Sequence, residues 1–260
     1  MADAAMDAKM RQIWSLFEKP WAKRLLRAYL PPTQVRSMGC DFIVHPRDNF
    51  TEFTMWETGL PPEHEATAHI ADRLRGTAPV IVDVGANAGA FFLPLHVAGG
   101  PGTRSVVFEP NPVMRARLER NIALNTGQGV TVFECAVSDE EGRSALYFPR
   151  NGNLGQGRVT KAYPHKKGAE GAEVALRPLR DCLAEAGVGR IDFLKVDVEG
   201  LEDRVLMPVL TGDAALHPGL LYFETVHDRV WSLPLMKTLG EAGYALVQEF
   251  DGNSLFERGV

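Results

Sequence analysis

The sequence predicts an α/β fold, a doubly wound and mostly parallel sheet with helices on both faces. Three apolar runs carry that prediction: VIVDVGANAG at residues 80–89, SVVFEP at 105–110 and IDFLKVDVEG at 191–200. Val80, Ile81 and Val82 suit a strand buried on both faces, and Gly85 and Gly89 allow a turn where backbone comes close to a ligand. Polar groups delivered at strand carboxyl ends, as in all three runs, mark the ligand crevice of an open α/β sheet.

The elements follow in order. Residues 7–30 are helix-like, with Ile13, Leu16 and Phe17, then Leu25, Leu26 and Tyr29 at helical spacings; Pro20 divides them into two short helices. Their basic residues, Lys9, Arg11, Lys19, Lys23, Arg24 and Arg27, fit a packed or dimerising helix with a solvated basic face better than a membrane-surface helix, and leave a homo-oligomer open. VRSMG (35–39), CDFIVHP (40–46) and FTEFTMWET (50–58) read as short strands, and 62–75 as a helix, so residues 1–75 are expected to cap a ligand-binding domain at 76–260. That domain should run strand 80–84, helix 89–98, strand 105–109, helix 111–125 and strand 130–137. A hairpin follows, with 140–149 returning at 173–179 around a polar, glycine-rich, lid-like insertion at 149–172. Strand 191–197, helix 200–210, strand 219–224, helix 232–242 and strands 244–249 and 253–257 complete the expected order.

Composition bounds the function. With 260 residues, 45% of them hydrophobic, the chain can bury one substantial core. A net charge of −5 gives no broad footprint for duplex nucleic acid. Cys40, Cys135 and Cys182 have neither metal-like nor disulfide-like spacing, which suits a reducing cytoplasm. No apolar stretch approaches the ~20 residues of a membrane span, and MADAAMDAKMRQIW has no signal-peptide core, so a soluble cytoplasmic protein is expected.

The ligand can be narrowed from the first two runs. Glu109 lies 24 residues beyond Gly85, about where a ribose-binding carboxylate belongs. The turn lacks the G-x-G-x-x-G spacing of a pyrophosphate site, and Asp83 beside it would repel a phosphate and attract an ammonium. S-adenosylmethionine, with an amino-acid end and a ribose end, fits these groups better than a nicotinamide dinucleotide does. In the third run Lys195, Asp197 and Glu199 would share one face if the strand continued through Glu199; alternatively Glu199 and Glu202 begin the next helix.

DVGANAG, VFEPNP at 107–112, AVSDEEG at 136–142 and above all IDFLKVDVEGLE at 191–202 resemble the FkbM family of S-adenosylmethionine-dependent methyltransferases, over about residues 50–250. The resemblance implies a class I methyltransferase fold: a Rossmann-like doubly wound sheet of seven strands, the last antiparallel. It implies that Asp83, Gly85, Asn87 and Gly89 hold the methionine part of the cofactor and that Glu109 binds its ribose. Ala136 and Val137 would border the adenine, with Asn111, Ser138 and Asp197 as further cofactor candidates. Asn87 replaces the middle glycine of the general class I pattern and matches the FkbM form. The family's range of acceptors implies O-methylation of a small-molecule, sugar or glycolipid, or polyketide-like hydroxyl.

Methyl transfer is an in-line displacement, so much of the catalysis comes from alignment, while an alcohol must also lose its proton. The candidate bases are Asp197, Glu199, Glu224 and His227, at the ends of neighbouring strands. Asp197, Glu224 and His227 also offer ligands for Mg²⁺. Phe53, Trp56, Glu57, Tyr163 and His165 are candidate acceptor contacts, and Lys166 and Lys167 would suit a phosphorylated acceptor. N-methylation, or methylation of RNA or protein, is the enzymatic rival; DVEG stands where exocyclic-amine methyltransferases carry an Asn-Pro-Pro-Tyr-like motif. A non-catalytic cofactor-binding scaffold is the alternative from another class.

Overall fold

The computed structural model describes residues 2–16, 19–148, 153–159 and 171–259. Most of the expected lid, with Tyr163, His165, Lys166 and Lys167, lies outside the described residues. The N-terminal part contains α1 (Ala2–Leu16), α2 (Pro20–Arg27), the antiparallel pair β1 (Thr33–Ser37) and β2 (Cys40–Val44), α3 (Phe50–Thr58) and α4 (His64–Leu74). There follow β3 (Val80–Val84), α5 (Phe92–Gly99), β4 (Arg104–Phe108), α6 (Pro112–Asn125), β5 (Val130–Phe133), β6 (Cys135–Ser138), β7 (Gly142–Tyr147), β8 (Arg158–Val159) and β9 (Gly171–Pro178). The remainder is α7 (Leu179–Glu185), β10 (Phe193–Val196), α8 (Glu202–Leu210), β11 (Leu220–Glu224), α9 (Leu235–Glu241), β12 (Tyr244–Phe250) and β13 (Asn253–Arg258).

The seven-stranded sheet has the order β12-β13-β11-β10-β3-β4-β5. Only β13 runs against its neighbours; the chain's final hairpin inserts it between β12 and β11. From β3 the chain moves outward to β4 and β5, then returns to β10 on the other side, so the β3/β10 boundary is the topological switch point where such sheets bind ligands. Alternation along the strands sorts the core. Ile81, Val107, Phe193 and Tyr222 join the core containing Trp14, Phe42, Trp56 and Ile70 from the N-terminal elements. Val82, Val106, Leu194 and Phe223 join the opposite core, with Leu183, Val205 and Leu239 from α7, α8 and α9.

Three local expectations are corrected. Residues 50–58 form helix α3: the Asn49 side chain caps it by accepting from Glu52 N–H at 2.9 Å, and Gly59 ends it at φ +84°. Glu52, Met55 and Trp56 are its buried residues, a helical spacing hidden by strand-forming Phe and Thr. The expected strand 130–137 divides at Glu134: β5 extends the main sheet, whereas β6 enters a second sheet ordered β6-β9-β7-β8, with a core of Ala136, Leu146, Val174 and Leu176. No Gly or Pro marks that division. Helix α7, directly after β9, was not expected. Among the described residues no helix is long and apolar enough to cross a membrane, and the three cysteines are free and buried.

Arg117 ties the N-terminal elements to the core. Its guanidinium donates to both Asp48 oxygens, at 2.8 and 3.0 Å, and to Glu52 Oε2 at 2.6 Å. Removing one partner from a buried pair leaves the other charge uncompensated, at a cost of roughly 3–5 kcal/mol. Arg117→Ala is therefore expected to lower the unfolding free energy by about that amount, measured by urea denaturation.

Candidate active site

The chain leaves β3 into the turn at 85–89. Gly85 has φ +91°, and a Cβ there would stand 2.1 Å from the Asp197 carbonyl oxygen, so the ends of β3 and β10 approach to a distance only glycine allows. Asn87 adopts φ +51°, a left-handed conformation that Asn tolerates. Gly89 lies against Leu93 and Leu118 and serves packing rather than the cleft.

Glu109, just after β4, is buried. Its Oε2 accepts from Asn87 N–H and its Oε1 from Asn111 N–H, both at 2.8 Å. Burial pushes its pKa up to about 7 in spite of these two donors. Asn111 caps α6 through Oδ1 to Val113 N–H and donates through Nδ2 to Leu154 O at 3.0 Å. Gly85, Asn87, Glu109, Asn111, Ala136 and Val137 line one cleft of about 190 Å³, which extends past Asp197 to Glu199. Ser138 does not line it; its hydroxyl donates to Asp139 at 3.1 Å.

Beneath the cleft lies a buried charged cluster. Lys195 Nζ is 3.0 Å from Asp197 Oδ2 and 3.8 Å from Asp83 Oδ1, with the Phe91 ring centre at 5.4 Å. Neither oxygen of the buried Asp83 has a hydrogen-bond partner among the described residues. Burial pushes its carboxyl up to about 6; Lys195 opposes this, while Asp197 and Glu63 add to it. Burial would lower Lys195, but Asp197, Asp83 and Glu63 outweigh it and hold the amine well above its ordinary value. Glu63, at the head of α4, accepts from Tyr222 OH at 3.2 Å.

The expectation that Glu199 shares a strand face with Lys195 and Asp197 is corrected: β10 ends at Val196, and Glu199 (φ +57°) and Gly200 (φ +106°) reverse the chain. Glu199 Oε2 instead accepts from Arg158 Nη2 at 2.7 Å and Nε at 3.1 Å. Glu202 secures the reversal, accepting from Gly200 N–H at 3.1 Å and Trp231 Nε1–H at 2.9 Å. His227 Nε2 lies 3.1 Å from Glu224 Oε2 and 4.0 Å from Glu199 Oε2. Among the described residues this Glu224 oxygen makes no aligned hydrogen bond, and burial, then Asp197, Glu199 and Glu202, push the carboxyl up to about 8. Among the described residues, those gathered as potential cation ligands are thus Glu199, Glu224 and His227, with ligand atoms within 4.8 Å of one another, rather than Asp197, Glu224 and His227. Asp197 is turned to Lys195.

Three expected acceptor contacts pack the N-terminal elements instead. Phe53 and Trp56 stack at 6.2 Å, and Glu57 accepts from Trp14 Nε1–H at 2.8 Å. The sequence reading missed Asn49 and Leu146, which line the cleft, and Glu63 of the charged cluster; residues 153–157, part of the expected lid-like insertion, also line the cleft. Asn49 alone had a local signal, a helix-capping residue before an apolar segment.

The sheet order, its one reversed strand and the cleft at the switch point define a class I methyltransferase fold. The Methyltransferase FkbM domain matches residues 83–246, more than half of the chain, and the protein belongs to this family of methyltransferases. Methyltransferase sdnD of Sordaria araneosa is 38% identical over 157 residues, 50% of this chain and 60% of that protein. The 31-O-demethyl-FK506 methyltransferase FkbM of Streptomyces tacrolimicus is 34% identical over 159 residues, 52% of this chain and 60% of that protein. The 2-O-methyltransferase NoeI of Sinorhizobium fredii is 30% identical over 152 residues, 53% of this chain and 60% of that protein. The matches therefore span three-fifths of the length of each of these relatives.

The raised carboxyls set a pH dependence. A carboxyl whose folded pKa exceeds its unfolded value stabilises the fold below the unfolded value, and that contribution is lost as pH rises through the folded value. With Glu52 and Glu109 at about 7 and Glu224 at about 8, the loss begins at the ordinary carboxylate value and is completed near neutrality and, for Glu224, near pH 8. Burial lowers His45, His96 and His217, whose stabilising contribution is complete above the ordinary histidine value of about 6.5. The melting temperature of the ligand-free protein is expected to fall from pH 6.5 to 8.5, as calorimetric scans would measure.

Proposed function

We propose that the protein is an S-adenosylmethionine-dependent O-methyltransferase acting on a hydroxyl of a small-molecule, sugar or glycolipid, or polyketide-like acceptor. The observation that carries the reading is the pair of buried carboxyl groups at the switch point: Asp83, without a hydrogen-bond partner among the described residues, and Glu109, facing the cleft. A phosphate would be repelled there, whereas a cofactor with an ammonium, a sulfonium and two ribose hydroxyls meets complementary groups. Gly85 and Asn87 shape the turn at the methionine end; Glu109 accepts from the ribose hydroxyls; Ala136 and Val137 border the adenine. Residues 76–260 form the catalytic domain, with 1–75 as its cap. The names of FkbM and NoeI support transfer to oxygen. Free buried cysteines suit work in the cytoplasm.

S-adenosylmethionine supplies an activated methyl group whose thioether leaves readily, so the protein's task is to align the acceptor oxygen and take up its proton. Asp197 is engaged by Lys195 and Glu199 by Arg158, and Glu224, pushed up to about 8, holds its proton at neutral pH, which leaves His227 beside it as the base. A second reading rests on the closeness of Glu199, Glu224 and His227: Mg²⁺ held there would acidify the acceptor hydroxyl. The guanidinium of Arg158 on Glu199 already supplies positive charge at that spot and favours the metal-free reading. Chelation with unchanged turnover would remove Mg²⁺ from the mechanism.

Calorimetric titration with S-adenosylmethionine tests the cofactor. Wild type should bind; Asp83→Asn and Glu109→Gln should each weaken binding at least about 10-fold, the scale of one lost charge-assisted hydrogen bond. Because the ionised carboxylates attract the cationic cofactor, affinity should fall as pH drops through about 7 to 6, where Glu109 and Asp83 take up protons. Absence of binding to wild type would overturn the assignment. With an accepted hydroxyl substrate, His227→Ala should reduce kcat by roughly 10²- to 10⁴-fold while leaving cofactor affinity unchanged, measured by S-adenosylhomocysteine release.

A further inference from the structure

Asn49 belongs to the N-terminal elements, yet it is fully buried against the cofactor turn. The partners of its side-chain amide dictate its orientation. Oδ1 accepts from Glu52 N–H at 2.9 Å, which leaves Nδ2 to donate to Asn87 Oδ1 at 2.8 Å and to Met114 Sδ at 3.2 Å. Asn87 Oδ1 is itself fixed as an acceptor, because Ala88 N–H donates to it at 2.8 Å. With its oxygen occupied from two sides, the Asn87 amide must present its NH₂ on the other side, beside residues 153–157. A Cβ added to Gly155 there would lie 2.6 Å from Asn87 Nδ2 and 2.7 Å from Asn49 Nδ2. An unbroken polarity thus runs from the first turn of α3, through Asn49, to a donor at the wall of the cleft.

Resting on the cofactor reading above, we propose that Asn49 is a positioning residue for the cofactor: it locks the Asn87 amide so that its NH₂ donates to an acceptor group of the bound S-adenosyl ligand. The cap then acts on the cofactor site through Asn87. A capping role for α3 alone makes a different prediction, because any good N-cap residue would fulfil it. Asn49→Ser separates the two: serine accepts from Glu52 N–H but is too short to reach Asn87. Asn87→Gly removes the amide and keeps the left-handed backbone without strain.

The test is a double-mutant cycle on the affinity for S-adenosylhomocysteine, measured by calorimetry on the full chain, with thermal melts to verify folding. Asn49→Ser should raise Kd about 10-fold and Asn87→Gly by a similar factor, the scale of one hydrogen bond. The double variant should bind no more weakly than Asn87→Gly alone. Wild-type affinity in Asn49→Ser, or an undiminished Asn49→Ser effect in the Asn87→Gly background, would overturn the proposal. If the serine variant does not fold, Asn49→Asp at pH 8 takes its place: it keeps the shape and the cap but sets oxygen against oxygen at Asn87, with the same expectation and the same refutation. A wild-type protein that binds no S-adenosylhomocysteine would instead refute the cofactor reading, a result distinct from either outcome of the cycle.

Discussion

The active cleft depends on how closely the ends of β3 and β10 approach one another. Lys195 and Asp83 are register partners on these strands, and Lys195 Nζ also reaches Asp197 Oδ2 at 3.0 Å. The single charge of Lys195 faces Asp83, Asp197 and Glu63 and offsets the repulsion among these three neighbouring carboxyl groups, of which Asp83 is buried in the sheet. The same approach brings the Asp197 carbonyl so near Gly85 that the turn has no room for a side chain, and the cleft opens directly above it. Charge balance and steric exclusion thus act at one crossing, and the positions of Asn87 and Glu109 follow from it.

Much of this frame was legible from the chain. Val80, Ile81 and Val82, the run ending at Glu109, and the run containing Lys195 announced parallel strands because a strand buried on both faces needs uninterrupted apolar residues. Their carboxyl ends carried Asp83, Glu109 and Asp197; Glu109 and Asp197 line the cleft, while Asp83 is buried beside Lys195 and does not line it. What escaped detection depends on tertiary partners. Helix α3 is rich in strand-forming Phe, Thr and Trp, and its burial against Arg117 and the Trp14–Trp56 pair acts with the caps at Asn49 and Gly59 to make it helical. The passage of the chain from β5 to β6 has no turn residue because the backbone stays extended while exchanging one set of ladder partners for another. Asn49 and Glu63 stand far from Asn87 and Lys195 in sequence, and no spacing rule connects them.

The two faces of the main sheet do different work. The face toward α7, α8 and α9 is apolar along the central strands, as in Val82, Leu194 and Phe223. The face toward the N-terminal elements begins apolar at Ile81 and Phe193 and becomes charged at Asp83 and Lys195, one pleat further on. Along each strand, core gives way to chemistry over two residues. The N-terminal elements complete this second face, contributing Trp14 and Trp56 to the apolar part, Glu63 to the charged part and Asn49 to the cleft wall.

The second sheet joins the main one at a single residue, Glu134, and its outer strand β8 is only two residues long. Its ladder partners are all its own, so lengthening or shortening the connections between β7, β8 and β9 leaves every register of the seven-stranded sheet unchanged. A lineage can therefore remodel one wall of the cleft by insertion and deletion while the chemistry-bearing strands stay as they are, an arrangement that separates innovation from conservation within a single chain.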